Sequence, residues 1–255
     1  MIERIHRFFR YSEEGVCDEL ATTAHGTALL TPSLPLVWQV NAIRVEDREA
    51  TVDELVAEAD RVQAAFGHRK LVVHDEQLGA RLLPGFQQAG WNVSRVLIML
   101  RRRPPDRRPE SAPAGEVPRE LGAAALEAFR REQPFGWQDE AVRQLAEMDA
   151  RYDRILAARD FASPPDDPAC ACRLYVHDGL AQVDEVGTVE ARRGRGHARA
   201  AVAAAADAGA GEGCDAVFMV TDAADWPQEL YRSLGFDEIG ATYEFLKVPI
   251  STARP

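Results

Sequence analysis

Long apolar runs are missing from this sequence. None of its 255 residues lies in a stretch approaching the roughly 20 apolar residues that a membrane span needs. The opening Met1-Ile2-Glu3-Arg4-Ile5-His6 has neither a long apolar core nor the cleavage site of a secretory signal. The expectation is a cytoplasmic protein with no membrane partner. Cysteine is scarce too: Cys17, Cys170, Cys172 and Cys214 match no zinc-binding spacing, so no metal is expected. Cys170 and Cys172 stand two apart in an expected strand, a poor geometry for a disulfide between them, and all four thiols are read as reduced. Positive charge is in deficit: 30 Lys and Arg against 41 Asp and Glu leave a formal net charge of -11. Such a surface repels phosphate backbones, which argues against a nucleic-acid partner. It attracts cationic amines, although an acidic surplus also serves plain solubility. Neither a GxGxxG fingerprint followed by its acidic residue nor a GxxxxGK[ST] loop is present, which excludes the usual dinucleotide and Walker-type sites.

Apolar residues make up 46% of the chain, enough for a substantial core. The clearest break is Arg101 to Pro118, where repeated Arg and Pro predict an exposed linker. Upstream, a first helix precedes strands over 25–30 and 36–45. A helix over 52–66 follows, then a strand at 71–73, a helix over 78–89 closed by Gly90, and a strand over 93–100. Downstream, helices are expected over 119–131 and 138–158, with a strand ending near Phe161. Strands 169–176 and 180–188 flank His177-Asp178-Gly179, a hairpin signal. A helix over 195–210, a strand over 216–221, a helix over 227–234 ended by Gly235 and a strand over 243–248 complete the order. From the hairpin onward this order repeats that of the first half, so the chain reads as two diverged copies of one α/β unit.

The segment Val186-Gly187-Thr188-Val189-Glu190-Ala191-Arg192-Arg193-Gly194-Arg195-Gly196-His197-Ala198 sits where a strand gives way to a helix. A helix start leaves backbone N–H groups without partners and carries a positive dipole end, which suits a pyrophosphate. Gly194 and Gly196 let the chain bend and let oxygens approach the backbone. About 30 residues on comes Glu229-Leu230-Tyr231-Arg232-Ser233-Leu234-Gly235-Phe236.

The form Arg193-x-x-Gly196-x-Ala198, followed by the Leu-Tyr-x-x-Leu-Gly-Phe helix, resembles the GNAT superfamily of N-acyltransferases, most clearly over 180–245. The resemblance implies an α/β (α+β) fold of two GNAT-like units, each a mixed, mostly antiparallel sheet flanked by helices. The units are placed at 1–103, a degenerate copy without a cofactor loop, and 118–255, the catalytic copy, joined by a linker over 104–117. It implies acetyl-CoA as co-substrate, held by Val186, Gly187, Thr188, Arg193, Gly194, Arg195, Gly196, His197 and Ala198, with Gly187 fitting a bulge. It also implies Tyr231 as the acid that protonates the leaving thiolate. The Asn that the family often carries seven positions before this tyrosine is replaced by Ala224, which removes one side-chain contact to the cofactor. In the first half Glu46-Asp47-Arg48-Glu49-Ala50 stands where the phosphate loop belongs. It has no glycine and three acids, so this half is expected to pack on the other and shape the acceptor cleft.

The base is sought at Asp184 and Glu185. Adjacent strand residues face opposite ways, so at most one is expected to face the cleft, and a bulge would reset that parity. His177 is read as exposed, and Trp137 and Trp226 as pocket-lining or core aromatics. The implied reaction moves an acetyl group from acetyl-CoA to a primary amine of a small molecule by direct attack. The alternatives are a non-catalytic acyl-CoA-binding regulator and a protein N-acetyltransferase. A tandem chain makes its own pseudo-dimer, so a monomer is expected, with a homodimer as the alternative.

Overall fold

The chain opens with α1 (Ile2–Val16), which buries Ile5, Phe8, Ser12 and Val16 at helical spacing and leaves its charged face to solvent. The structure, a computed structural model, describes residues 1–106 and 112–248; the middle of the expected linker lies outside them. After α1 come β1 (Glu19–Thr22), β2 (Gly26–Leu30), a 3₁₀ turn at Trp38–Val40 and β3 (Ala42–Val45). The strand expected over 36–45 is thus confined to its last four residues. The reason is Asn41, whose side chain donates to the carbonyls of Leu34 and Val37 and accepts from the Thr31 N–H. These bonds curl the preceding segment into a buried turn. The half closes with α2 (Val52–Val62), β4 (Arg69–Val73), α3 (Glu76–Gln88) and β5 (Asn92–Arg101).

The second half starts with β6 (Gly115–Val117), a short edge strand inside the stretch read as linker, paired antiparallel with the next strand, two helices further on. Then follow α4 (Arg119–Arg131), α5 (Asp139–Ile155), β7 (Ala157–Ser163), β8 (Cys170–His177) and β9 (Leu180–Thr188). Asp178 and Gly179 turn the β8–β9 hairpin with φ of 48° and 70°, the paired positive angles that a two-residue turn between twisted strands requires. The chain ends with α6 (His197–Gly211), β10 (Ala216–Asp222), α7 (Pro227–Ser233) and β11 (Phe236–Lys247). All four cysteines are free.

The eleven strands form one mixed, mostly antiparallel sheet in the order β1-β2-β3-β4-β11-β5-β10-β9-β8-β7-β6. Its centre carries a feature that element order alone does not reveal. The last strand of each half crosses into the other: β11 pairs with β4, β5 pairs with β10, and β5 and β11 pair with each other. Both halves therefore share their central hydrogen bonds. On one face α6 and α7 cover the second half, burying Ala201, Ala205, Tyr231 and Phe236 among strand residues such as Val183 and Met219. On the same face α2 and α3 cover the first half around Leu55, Leu82, Phe86 and the β11 residues Tyr243 and Phe245. On the opposite face α1 crosses the seam, with Ile5 and Phe8 packed against Ile98, Leu180 and Phe218. There α5 lies beside it, and α4 beside α5.

Candidate active site

β9 and β10 run parallel and pair only at Leu180–Gln182 with Ala216–Phe218. Beyond these residues both strands continue without pairing each other, so the sheet opens into a wedge. The wedge is bordered by Phe129, Asp184, Val186, Val220 and Tyr231. Beside it, on the α1 and α5 face, lies a half-open cavity of about 170 Å³. Asp184 and Val220 border both spaces. The two openings therefore meet at one carboxylate.

The wall at that point is shaped by a β-bulge. Ala171 opposes Gly187 and Arg173 opposes Asp184, so two β9 residues, Glu185 and Val186, face the single β8 residue Cys172. The bulge residue is Glu185, in the left-handed region with φ of 53°. This corrects the assignment of the bulge to Gly187. Glycine is needed there for space instead: a Cβ on Gly187 would stand 2.4 Å from the Phe129 ring. The strained backbone at Glu185 also breaks the alternation expected along the strand. Asp184 and Glu185 both border the wedge, where strict parity would have allowed one.

The two carboxylates differ in their neighbours. Glu185 accepts from Arg130 at 2.7 Å, and Arg130 is itself clamped by two bonds to buried Asp149 at 2.9 and 3.1 Å. Asp184 has no cation at hydrogen-bond distance among the described residues. It accepts from Gln182 Nε2 at 3.0 Å and from the Glu185 N–H at 2.8 Å. Burial, then the charge of Glu185, push the Asp184 carboxyl up to about 7. Across the wedge, burial also holds the Tyr231 phenol above its ordinary range, so it stays protonated at all physiological pH. The same shift makes it a weaker acid than an ordinary tyrosine.

At the mouth of the wedge, α6 begins at Gly196 with no side-chain cap and no acid in its first turn. Gly194 and Gly196 have φ of 75° and 82°, the left-handed region that a Cβ disfavours. The arrangement fits a pyrophosphate: uncapped N–H groups, a positive dipole end and basic neighbours at Arg193 and Arg195. His197 turns its ring toward Ser163, with Nδ1 3.1 Å from the hydroxyl, and Arg193 Nε donates to the Thr188 carbonyl. The corresponding helix start in the first half is filled by protein. Thr51 and Glu54 form a reciprocal capping box at the head of α2, and Asp47 accepts from the Glu49 N–H and bonds His25.

Several residues that sequence reasoning did not find line the cavity: Glu13 from α1, Lys70 from β4, Tyr152 from α5, Tyr175 from β8 and Glu244 from β11. No spacing rule links positions so far apart; only the crossed strands and α1 bring them together. Trp137 and Trp226 border neither opening and are 43% and 68% exposed, which corrects their reading as pocket-lining or core aromatics. His177 stacks on Tyr11 with ring centroids 3.8 Å apart, away from the site. No cluster able to hold a metal ion occurs among the described residues, and no described helix is long and apolar enough to cross a membrane.

Comparison with known proteins agrees with this geometry. Residues 123–236 match the acetyltransferase (GNAT) family. Curated protein sequences give no match. Among solved structures, a functionally unknown conserved protein from Staphylococcus epidermidis superposes with a TM-score of 0.71 at 15% identity, covering 92% of this chain and 95% of that one. A GCN5-related N-acetyltransferase from Kribbella flavida gives 0.60 at 19% identity, covering 97% and 96%. A tandem GNAT protein from the clavulanic acid biosynthesis pathway gives 0.52 at 12% identity, covering 81% and 75%. Residues 123–236 are thus similar to the acetyltransferase (GNAT) family, and the fold of the chain is shared with these solved structures.

Proposed function

We propose that this chain is an acetyl-CoA-dependent N-acetyltransferase whose acceptor is a small primary amine, acting by direct attack. The observation that supports it best is the place of Asp184, a base tuned near neutrality where the β9–β10 wedge meets the half-open cavity. Acetyl-CoA supplies the activated acetyl carbonyl. Val186, Gly187 and Thr188 would run along its arm, and Arg193, Gly194, Arg195, Gly196, His197 and Ala198 would surround its pyrophosphate, with backbone N–H groups as the main donors. From the cavity side, Asp184 takes the proton that an ammonium must lose before its nitrogen can attack. Tyr231, protonated and on the wedge, gives a proton to the departing sulfur. Glu185 acts through Arg130: the pair fixes the bulge and its charge raises the affinity of Asp184 for a proton.

In this reading the first unit, 1–103, does no chemistry. Its α2 capping box occupies the N–H groups that a phosphate would need, and its α1, β4 and the crossed β11 of the second unit (118–255) build the acceptor cavity across the 104–117 connection. The reading is tested by calorimetric titration with acetyl-CoA beside a Gly196→Glu variant, followed by an amine screen for CoA release. One site per chain, lost in the variant, together with release of CoA by a small amine, is the expected result. Binding without transfer to any amine would leave a non-catalytic acyl-CoA-binding protein.

A further inference from the structure

The cavity behind Asp184 is built unlike a general amine pocket. Three carboxylates border it, Glu13, Asp184 and Glu244, against one ammonium, that of Lys70. Lys70 is spent on Glu244 at 2.8 Å. The nearest cation to Glu13 is the Arg44 guanidinium at 3.5 Å, beyond a good hydrogen bond. Arg44 is already engaged by Glu14 and Glu46. Asp184 thus faces the cavity without a cation at hydrogen-bond distance among the described residues, and Glu13 has only a long contact to an arginine shared with two other carboxylates.

Independent polar groups point the same way. Thr242 is 6% exposed and Gln182 7% exposed, and both border the cavity. The Thr242 hydroxyl makes none of the described side-chain hydrogen bonds, and Gln182 makes only its donation to Asp184, so both oxygens remain able to accept from a ligand in the cavity. Phe9 and Tyr152 supply aromatic walls beside Tyr175, whose own ring already carries the Arg173 guanidinium.

Glu13 and Asp184 lie at different places in the fold. Glu13 is beside Arg44 of β3 and is influenced by Lys70 of β4, whereas Asp184 belongs to β9, with β11, β5 and β10 between β4 and β9. Neighbouring strands are ~4.8 Å apart, so an occupant touching both is elongated. A volume of about 170 Å³ falls below that of drug-sized sites and suits a thin, unbranched chain.

Resting on the acetyl-transfer reading, we infer that the acceptor is a linear aliphatic di- or polyamine: one amine is delivered to Asp184 while a second ammonium is held at Glu13, with the Gln182 amide oxygen and the Thr242 hydroxyl accepting from N–H groups of the amine. Burial pushes Glu13 up to about 7, a cost that a cationic ligand removes. No covalent step changes: the attacking nitrogen loses its proton to Asp184, the carbon–sulfur bond breaks, and the second ammonium takes no part. Glu13 is a positioning residue.

The test compares α,ω-diamines of four to twelve carbons, a linear triamine, monoalkylamines of equal length and ω-amino acids, by kcat/KM for CoA release. The expected result is at least a tenfold preference for the best diamine or triamine over the matched monoamine, with the ω-amino acid poorer still. In Glu13→Gln the preference should fall below threefold. A ratio near one in the wild type, preference for the ω-amino acid, or an unchanged ratio in Glu13→Gln overturns the inference. If nothing in the panel is acetylated, calorimetry of the same amines against the protein with CoA decides. Heat that is lost in Glu13→Gln supports the site, and absence of heat with every diamine and the triamine overturns it. Intact acetyl-CoA binding with indifference to the second ammonium would refute this inference alone; absence of acetyl-CoA binding would refute the acetyl-transfer reading.

Discussion

Replacing Asp184 with Asn should cost activity and raise stability at once, a pairing that a purely structural carboxylate would not produce. The carboxyl is raised from 3.8 to about 7. At ~1.4 kcal/mol per tenfold, holding it ionised in the folded protein costs up to about 4 kcal/mol. The sign follows from proton counts. Between these values the unfolded chain has released the proton and the folded chain still holds it. Folding is therefore favoured at low pH, and this contribution is lost as pH rises, fully so above about 7. Asparagine has the same shape. Its oxygen can still accept from the Glu185 N–H, now at 2.8 Å, and Gln182 can turn its amide to accept from the new NH₂ group. At pH 8 the variant should unfold at higher urea concentration than the wild type, by about 1–4 kcal/mol, and the two curves should converge near pH 4. Acetyl transfer should fall by about 10²–10⁴-fold, the usual contribution of a positioned base. The rising limb of kcat/KM near pH 7 should vanish with it. Urea titrations at both pH values and a CoA-release assay measure these effects. A variant that keeps activity within threefold with the limb intact, or is less stable at pH 8 than at pH 4 relative to the wild type, would refute the assignment.

Tyr231→Phe should lower kcat about a hundredfold while acetyl-CoA affinity by calorimetry stays within threefold; equal loss of both would make the phenol a binding group instead of an acid. Arg130→Leu leaves Asp149 and Glu185 without their shared cation and should destabilise the protein by about 3–5 kcal/mol in urea at pH 8; a loss below 1 kcal/mol would contradict the clamp. Gly187→Ala places a methyl 2.4 Å from the Phe129 ring and should cost about 1–3 kcal/mol, read from the same denaturation curves. Because β5 and β11 cross between the halves, the full chain should unfold in a single transition by fluorescence and circular dichroism alike, and a fragment of residues 1–106 should show no cooperative transition by itself. Two separate transitions would argue against the crossed sheet.

The parts of this protein legible in its sequence are those governed by local chemistry. Gly194 and Gly196 mark a left-handed approach to a helix start, and the absence of an acid or cap in the first turn of α6 is written in the residues themselves. Asp178-Gly179 names its hairpin. The helical spacing of apolar residues in α2 and α3 follows from burying one face. The Leu-Tyr-x-x-Leu-Gly-Phe segment names α7 and its Gly235 exit, where a φ of 91° requires glycine. Tertiary structure decided the rest. The sequence order of β5 and β11 is the same whether each closes its own half or crosses to the other, because both choices satisfy the same alternation of apolar residues. The choice between Asp184 and Glu185 depended on a positive φ at a non-glycine residue, held by an arginine 55 positions away, which no local pattern encodes. The cavity's other groups, Glu13, Lys70, Tyr152 and Glu244, come from α1, β4, α5 and β11. Their meeting is a consequence of the crossed sheet and of α1 lying over its seam, and only the folded chain brings them within reach of one molecule.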